Sequence, residues 1–281
     1  MAFAATATTT ELTDDQLKSL FEPDDDVASI LRPLQERLLI AVNRVVGVLR
    51  WRFARPGPPA RPLKFEFSLD GTKWSEPWWG LGSLSLPYFV AHDAPPAKVR
   101  ETAVVIESGA EAPLAWELFY EALALQSSSA RAAFLLAITA AEVGIKEFGG
   151  RRSSSERWLL DEIPSPPMEK LVGGYLAAFI RVEVSTKKKQ PQVVPDWIQN
   201  ELTGAATKRN KLVHSRKGFE PEYRPTEEHV RKLLACVMDL LYVLDWFAGE
   251  DWAFGLLSEE TASCYPQGAS SRPALVPTPL P

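Results

Sequence analysis

The chain is 281 residues long, carries a net charge of −5 at pH 7 and is 46% apolar, which is enough hydrophobic material for two modest domains and excludes an intrinsically disordered protein. Two cysteines (Cys236, Cys264) and three histidines (His92, His214, His229) are too few and too scattered for a disulfide framework or a structural zinc site, so no metal and no cofactor are expected. No stretch approaches the roughly 20 uninterrupted apolar residues of a membrane helix, and the opening MAFAATATTTELTDD lacks the basic segment of an export signal; a cytoplasmic protein without a membrane anchor is expected.

Residues 1–25 read as a flexible, Ala/Thr-rich N-terminus. Asp24, Asp25 and Asp26 then place carboxylates where they complement a helix N-terminus, and Ile30, Leu34, Leu38 and Val42 recur at helical spacing, predicting a helix to about Val46 despite Pro33. From Leu49 the period changes to two. Leu49, Trp51 and Phe53 alternate with Arg50 and Arg52, and Leu63, Phe65, Phe67 and Leu69 alternate with polar residues, predicting half-buried strands joined by the proline-rich loop of residues 54–62. Asp70-Gly71 has the chemistry of a hairpin turn, and TAVVIE at 102–107 is a further predicted strand. Trp74, Trp78 and Trp79 are either packing or the wall of a ligand groove. Residues 26–110 are therefore expected to form a helix plus a strand-rich N-terminal domain.

From about residue 111 helices dominate. Pro113 opens one that reaches about residue 126, and the Ser127–Ser129 run caps a second that carries Phe134, Ile138, Ala141, Ile145 and Phe148 on one face and is expected to stop at Gly149-Gly150. A third is predicted over 167–181 and a fourth from Pro195 to about Val213. The fifth starts at the N-cap Thr226, carries Val230, Leu233, Val237, Leu240 and Leu244, and ends at Gly249. Residues 111–257 thus read as a helical bundle and 258–281 as a disordered Pro/Ser-rich tail, giving an α+β protein whose C-terminal domain is α-helical.

Charge is unevenly distributed. Residues 151–217 hold thirteen Lys and Arg against seven Asp and Glu, and 218–281 hold four against ten, so the first segment is either an electrostatic footprint for a polyanion or a solvated surface. The fourth predicted helix ends in Lys208-Arg209-Asn210-Lys211-Leu212-Val213-His214. Its apolar stripe runs Ile198, Leu202, Ala205, Arg209, Leu212, placing a guanidinium where the pattern asks for an aliphatic side chain. An unpaired buried cation is costly, so Arg209 must pair with a core carboxylate such as Glu142, face a subunit interface or line a cleft. His214 follows at the helix end, where a chain leaving the helix can turn the imidazole toward that cleft. Imidazole exchanges protons near neutral pH and guanidinium offers forked donors to phosphate oxygens, a combination suited to phosphodiester chemistry.

This Arg-Asn-x-x-x-His arrangement, on the penultimate helix of a bundle and followed by a polar loop and a long apolar helix, resembles the HEPN superfamily over about residues 115–248. The stretch AFLLAITAAEVGIKEF looks like the HEPN helix that presents a glutamate, here Glu142, toward the motif. The resemblance implies metal-independent cleavage of RNA by 2′-hydroxyl attack at a composite site shared by a homodimer, in a toxin or antiviral-defence setting. It gives Arg209 the scissile phosphate, Asn210 an orienting role and His214 the acid–base role, while Lys208, Lys211, Arg216, Lys217 and the Lys187-Lys188-Lys189 run are candidate RNA contacts. A second match to the spacing, Arg224 to His229, has the chemistry of a helix start and reads as a coincidence. The other expectation is a non-catalytic HEPN binding or assembly module that regulates a partner protein.

Overall fold

A computed structural model describes residues 25–54, 96–152, 167–176, 180, 193–214 and 224–265. The chain divides into two compact units, Met1–Ala112 and Pro113–Pro281.

In the first unit, helix α1 spans Asp25–Phe53 and packs on α2, Pro96–Glu107. The expected strand-rich N-terminal domain, and with it the α+β class, is overturned where it can be checked: no strand occurs among the described residues, and both 49–53 and 102–107 are helical. In the first segment Leu49, Arg50, Trp51 and Arg52 are all buried, so the alternation of apolar and basic residues does not correspond to an inside and an outside face. Arg52 ion-pairs with Glu101 at 3.6 Å, and Lys98 lies 5.2 Å over the Phe53 ring with its pKa lowered by burial and by the nearby Arg52. In the second segment the β-branched run follows a proline at the first helical position, and Thr102 bonds back to the Lys98 carbonyl at 2.7 Å; weak β propensity yields to a helix already started. The predicted strand at 63–69, the Asp70-Gly71 turn and the Trp74–Trp79 cluster lie outside the described residues.

The second unit is a helical bundle: α3 (Leu114–Leu125), α4 (Ala130–Arg152), α5 (Met168–Lys170) running into a π-helical turn at Leu171–Tyr175, α6 (Asp196–His214), α7 (Glu227–Ala248), α8 (Asp251–Phe254) and α9 (Glu259–Ala262). α7 is the central element, buried at every position from Asp239 to Phe247, and α4 packs against both it and α3. Thr226 caps α7, its hydroxyl accepting from the His229 amide at 3.3 Å, and Gly249 ends it with φ +119°, a conformation open to glycine. None of the described helices is long and apolar enough to cross a membrane.

Three buried or half-buried carboxylates tie the bundle together. Pro113 offers no side-chain cap to α3, so Glu147 of α4 takes that role, accepting from the Leu114 amide at 2.9 Å and the Ala115 amide at 3.2 Å. Asp245 accepts from Trp116 Nε1 at 2.8 Å and pairs with Arg151 at 3.5 Å. That pairing lies beyond Gly149-Gly150, where the sequence predicted a stop; α4 continues through both glycines to Arg152. Asp239 accepts from the Ser258 amide at 3.1 Å, from the Ser258 hydroxyl and from Thr261 Oγ1, drawing the expected tail back onto the bundle as α9. Tyr265 continues this return, donating to the Val193 carbonyl at 3.0 Å, so the chain from 258 to 265 is helix and turn.

Gly144 marks the closest approach of α4 to its neighbours: a Cβ there would run into a methyl of the buried Leu241 and lie 3.3 Å from Ala115 Cβ. Gly144→Ala is expected to destabilise the protein by about 1–3 kcal/mol despite its better helix propensity, measured by urea unfolding. An unchanged midpoint would mean that α4 and α7 are farther apart than this packing requires.

Candidate functional site

α6 has its buried stripe at Ile198, Leu202, Ala205, Ala206 and Leu212, and Arg209 falls within it. The guanidinium is neutralised in place: Nη1 lies 2.5 Å from Glu142 Oε1 on α4, and Nε donates to Asn210 Oδ1 at 3.4 Å. The pair is not sealed in the core. The Arg209 side chain is 28% exposed and that of Glu142 13%, so the pair is partly open to solvent. Asn210 is exposed beside it.

His214 is the last residue of α6, and its side chain lies outside the described residues. α6 remains helical through residue 214, and positions five apart on a helix are about 140° apart around the axis and about 7.5 Å apart along it. Position 214 therefore shares a face with Asn210, four residues before it, rather than with Arg209. Arg131 helps to hold this last turn, donating from Nη2 to the Leu212 carbonyl at 3.4 Å. That carbonyl is one of the four a helix end leaves without an internal partner, and a cation there also complements the helix dipole. Arg131 was not legible as a site residue, because it is 81 positions away in sequence and matches no spacing.

Lys208 has a different neighbourhood from Arg209. Its Nζ sits 3.3 Å from His229 Nδ1 and 6.0 Å over the Phe134 ring, and burial lowers its pKa, with the Glu201 carboxylate opposing that shift. His229, read from sequence as part of a helix start, does occupy the capping box of α7, yet it also meets the motif helix. Lys211 is exposed; Arg216, Lys217, Lys187, Lys188 and Lys189 lie outside the described residues.

A groove of about 610 Å³ opens at the other end of α6, lined by Trp197, Asn200 and Glu201 together with Lys232 and Met238 of α7. Its character is acidic, with Glu201, Asp239 and Glu260 in the lining and Lys232 held by Glu201 at 2.7 Å, a contact that raises the Lys232 pKa. It does not include any residue of the 208–214 motif. Among the described residues no group of three His, Cys, Asp or Glu side chains is placed to hold a metal ion. Comparisons with family models, curated proteins and solved structures return no match for this chain.

The Arg209–Glu142 pair lends itself to a double-mutant cycle with Glu142→Gln and Arg209→Gln. Partial exposure screens the charges, so a coupling of about 1–2 kcal/mol is expected from urea unfolding of the two single variants and the double variant. Coupling below about 0.3 kcal/mol would mean that the pair contributes no stability and that Arg209 is retained at this position for another reason.

Proposed function

We propose that the second unit is a HEPN-type, metal-independent endoribonuclease acting through the 208–214 segment of α6. The observation that carries this reading is the state of Arg209: a guanidinium set in an apolar stripe, paired with Glu142 and still partly exposed. An arginine required for packing alone is expected to be enclosed by its partner, whereas one that binds phosphate needs an anchored edge and a free edge. The basic balance of residues 151–217 adds to this reading.

In the proposed chemistry the ribose 2′-hydroxyl attacks the adjacent phosphorus, the bond from phosphorus to the 5′-oxygen breaks, and a 2′,3′-cyclic phosphate and a 5′-hydroxyl result. Arg209 holds the phosphate oxygens as negative charge accumulates, and Asn210 orients them. His214 takes the 2′-hydroxyl proton or supplies one to the leaving oxygen. The divergence of positions 209 and 214 around α6 favours a site assembled from two copies, the arginine of one near the histidine of the other.

The Glu142 contact also favours a second reading, a non-catalytic helical module in which Arg209 is a structural ion pair. The test uses total RNA incubated with the protein in EDTA. Wild type is expected to cut, leaving cyclic phosphate ends, and His214→Ala to lose about 100-fold or more of that rate. Arg209→Lys keeps the charge and the ion pair to Glu142 but loses the fork, and is expected to lose a comparable factor while its melting temperature stays within a few degrees of wild type. Intact RNA with wild type, or equal cutting by both variants, would transfer the conclusion to the binding module.

A further inference from the structure

We infer that His229 and Lys208 form a second phosphate-binding position for the same RNA strand, next to the one at Arg209; this inference rests on the nuclease reading above. Three donors converge on one atom. His229 Nδ1 lies 3.0 Å from Thr226 Oγ1, 3.4 Å from the Thr226 amide and 3.3 Å from Lys208 Nζ. A single ring nitrogen with one lone pair cannot satisfy three donors, and it accepts from any of them only if its proton is on Nε2. The imidazole then presents an Nε2–H donor, and the Lys208 ammonium keeps hydrogen-bonding capacity beyond its contact with the ring.

Lys208 is also a cation in neutral company. The groups placed against it are the Phe134 face and the His229 ring; Glu201, whose charge it feels, is already engaged by Lys232, and among the described residues Lys208 makes no ion pair. Burial penalises its charge, and an anion would relieve that penalty. Lys208 and Arg209 stand about 100° apart around α6, so a strand that holds one phosphate at Arg209 must pass around the helix to set another against Lys208 and His229. Glu227 and Glu228 stand in the same first turn of α7 as His229 and disfavour an anion that approaches along that turn. The ligand is a phosphodiester of single-stranded RNA, held by the Lys208 cation and the His229 ring donor.

The probe is a single-stranded 2′-O-methyl RNA, which lacks the attacking hydroxyl and so reports binding alone, titrated into the full chain from about 50 to 200 mM salt. Lys208→Gln is expected to raise Kd about 5- to 10-fold at the lower salt and to flatten the plot of log Kd against log salt by about 0.7, the share of one phosphate contact on a single strand. His229→Ala removes the ring donor and is expected to raise Kd about 3- to 5-fold, and His229→Gln, whose amide keeps both a capping acceptor and a donor, to recover most of that loss. Glutamine at the third helical position supports the same capping box, so His229→Gln should melt within about 2 °C of wild type. An unchanged Kd for His229→Ala overturns the inference, as does a loss that His229→Gln fails to reverse while melting at the wild-type temperature. Cleavage of unmodified RNA separates the two conclusions: cutting by wild type with no binding effect of Lys208→Gln or His229→Ala removes this inference alone, whereas a wild type that neither binds nor cuts RNA removes both.

Discussion

A guanidinium placed in the apolar stripe of a helix must be neutralised before that helix can lie on its neighbour, and in this bundle Glu142 does so for Arg209. The consequence is geometric as much as energetic. Glu142 lies in the middle of α4 and Arg209 near the end of α6, so the ion pair helps to set how α6 lies on α4 and therefore where its last turn falls. Arg131, eleven residues before Glu142 on the same helix, reaches the Leu212 carbonyl and holds that turn from its other side. Between these two contacts Leu212 is buried while Lys208 and Arg209 stay half-exposed and Asn210 and Lys211 exposed, so the backbone of this stretch is held by the core and several of its polar side chains reach solvent.

The acidic C-terminal stretch has a related logic. Two of its ten carboxylates, Asp239 and Asp245, are nearly inaccessible and act as hydrogen-bond hubs. Asp245 gathers Trp116 and Arg151, and Asp239 gathers Ser258 and Thr261, so acids on the central helix organise α3, the end of α4 and the returning chain at α9. Most of their capacity is used within the protein, and the low-dielectric surroundings strengthen those bonds. The exposed acids are others, including Glu227, Glu228, Glu259 and Glu260. A charge count along the chain therefore misstates the surface of this bundle, and the local placement of each group decides what a polyanion would meet.

Legibility in the sequence followed the length of each pattern. The long helices α6 and α7 carry four or more turns of apolar periodicity bounded by recognisable caps, and Thr226 and Gly249 bracket α7 where turn chemistry places them. The short patterns failed. Five alternating residues at 49–53 are too few to define a strand when a helix with twenty-four preceding residues runs into them, and the β-branched residues at 102–107 continue a helix begun at Pro96. At the site, the Arg209–Glu142 pairing was readable because a charge interrupts an apolar stripe and demands a partner on the facing helix. Arg131 and the second contact of His229 were not, since each depends on where another helix lies, and His229 already had a sufficient local explanation as a capping residue.

The continuity of α6 through His214 separates two of the motif positions around the helix. Were the helix to end at about residue 211, the following residues could fold the imidazole toward Arg209 and a single chain would hold both groups. With the last turn intact and Leu212 tied to Arg131, positions 209 and 214 lie on different faces of α6. Melting would give up the Arg131 contact and the burial of Leu212, a cost of order 2–3 kcal/mol. If two copies pair as proposed, both contacts stay in place and the basic end of one α6 meets that of the other, so a polyanion bound between them would relieve the repulsion of like charges. Under that proposal RNA binding and dimer formation would be coupled, because each copy would supply charge that the other tolerates best with the phosphate backbone between them.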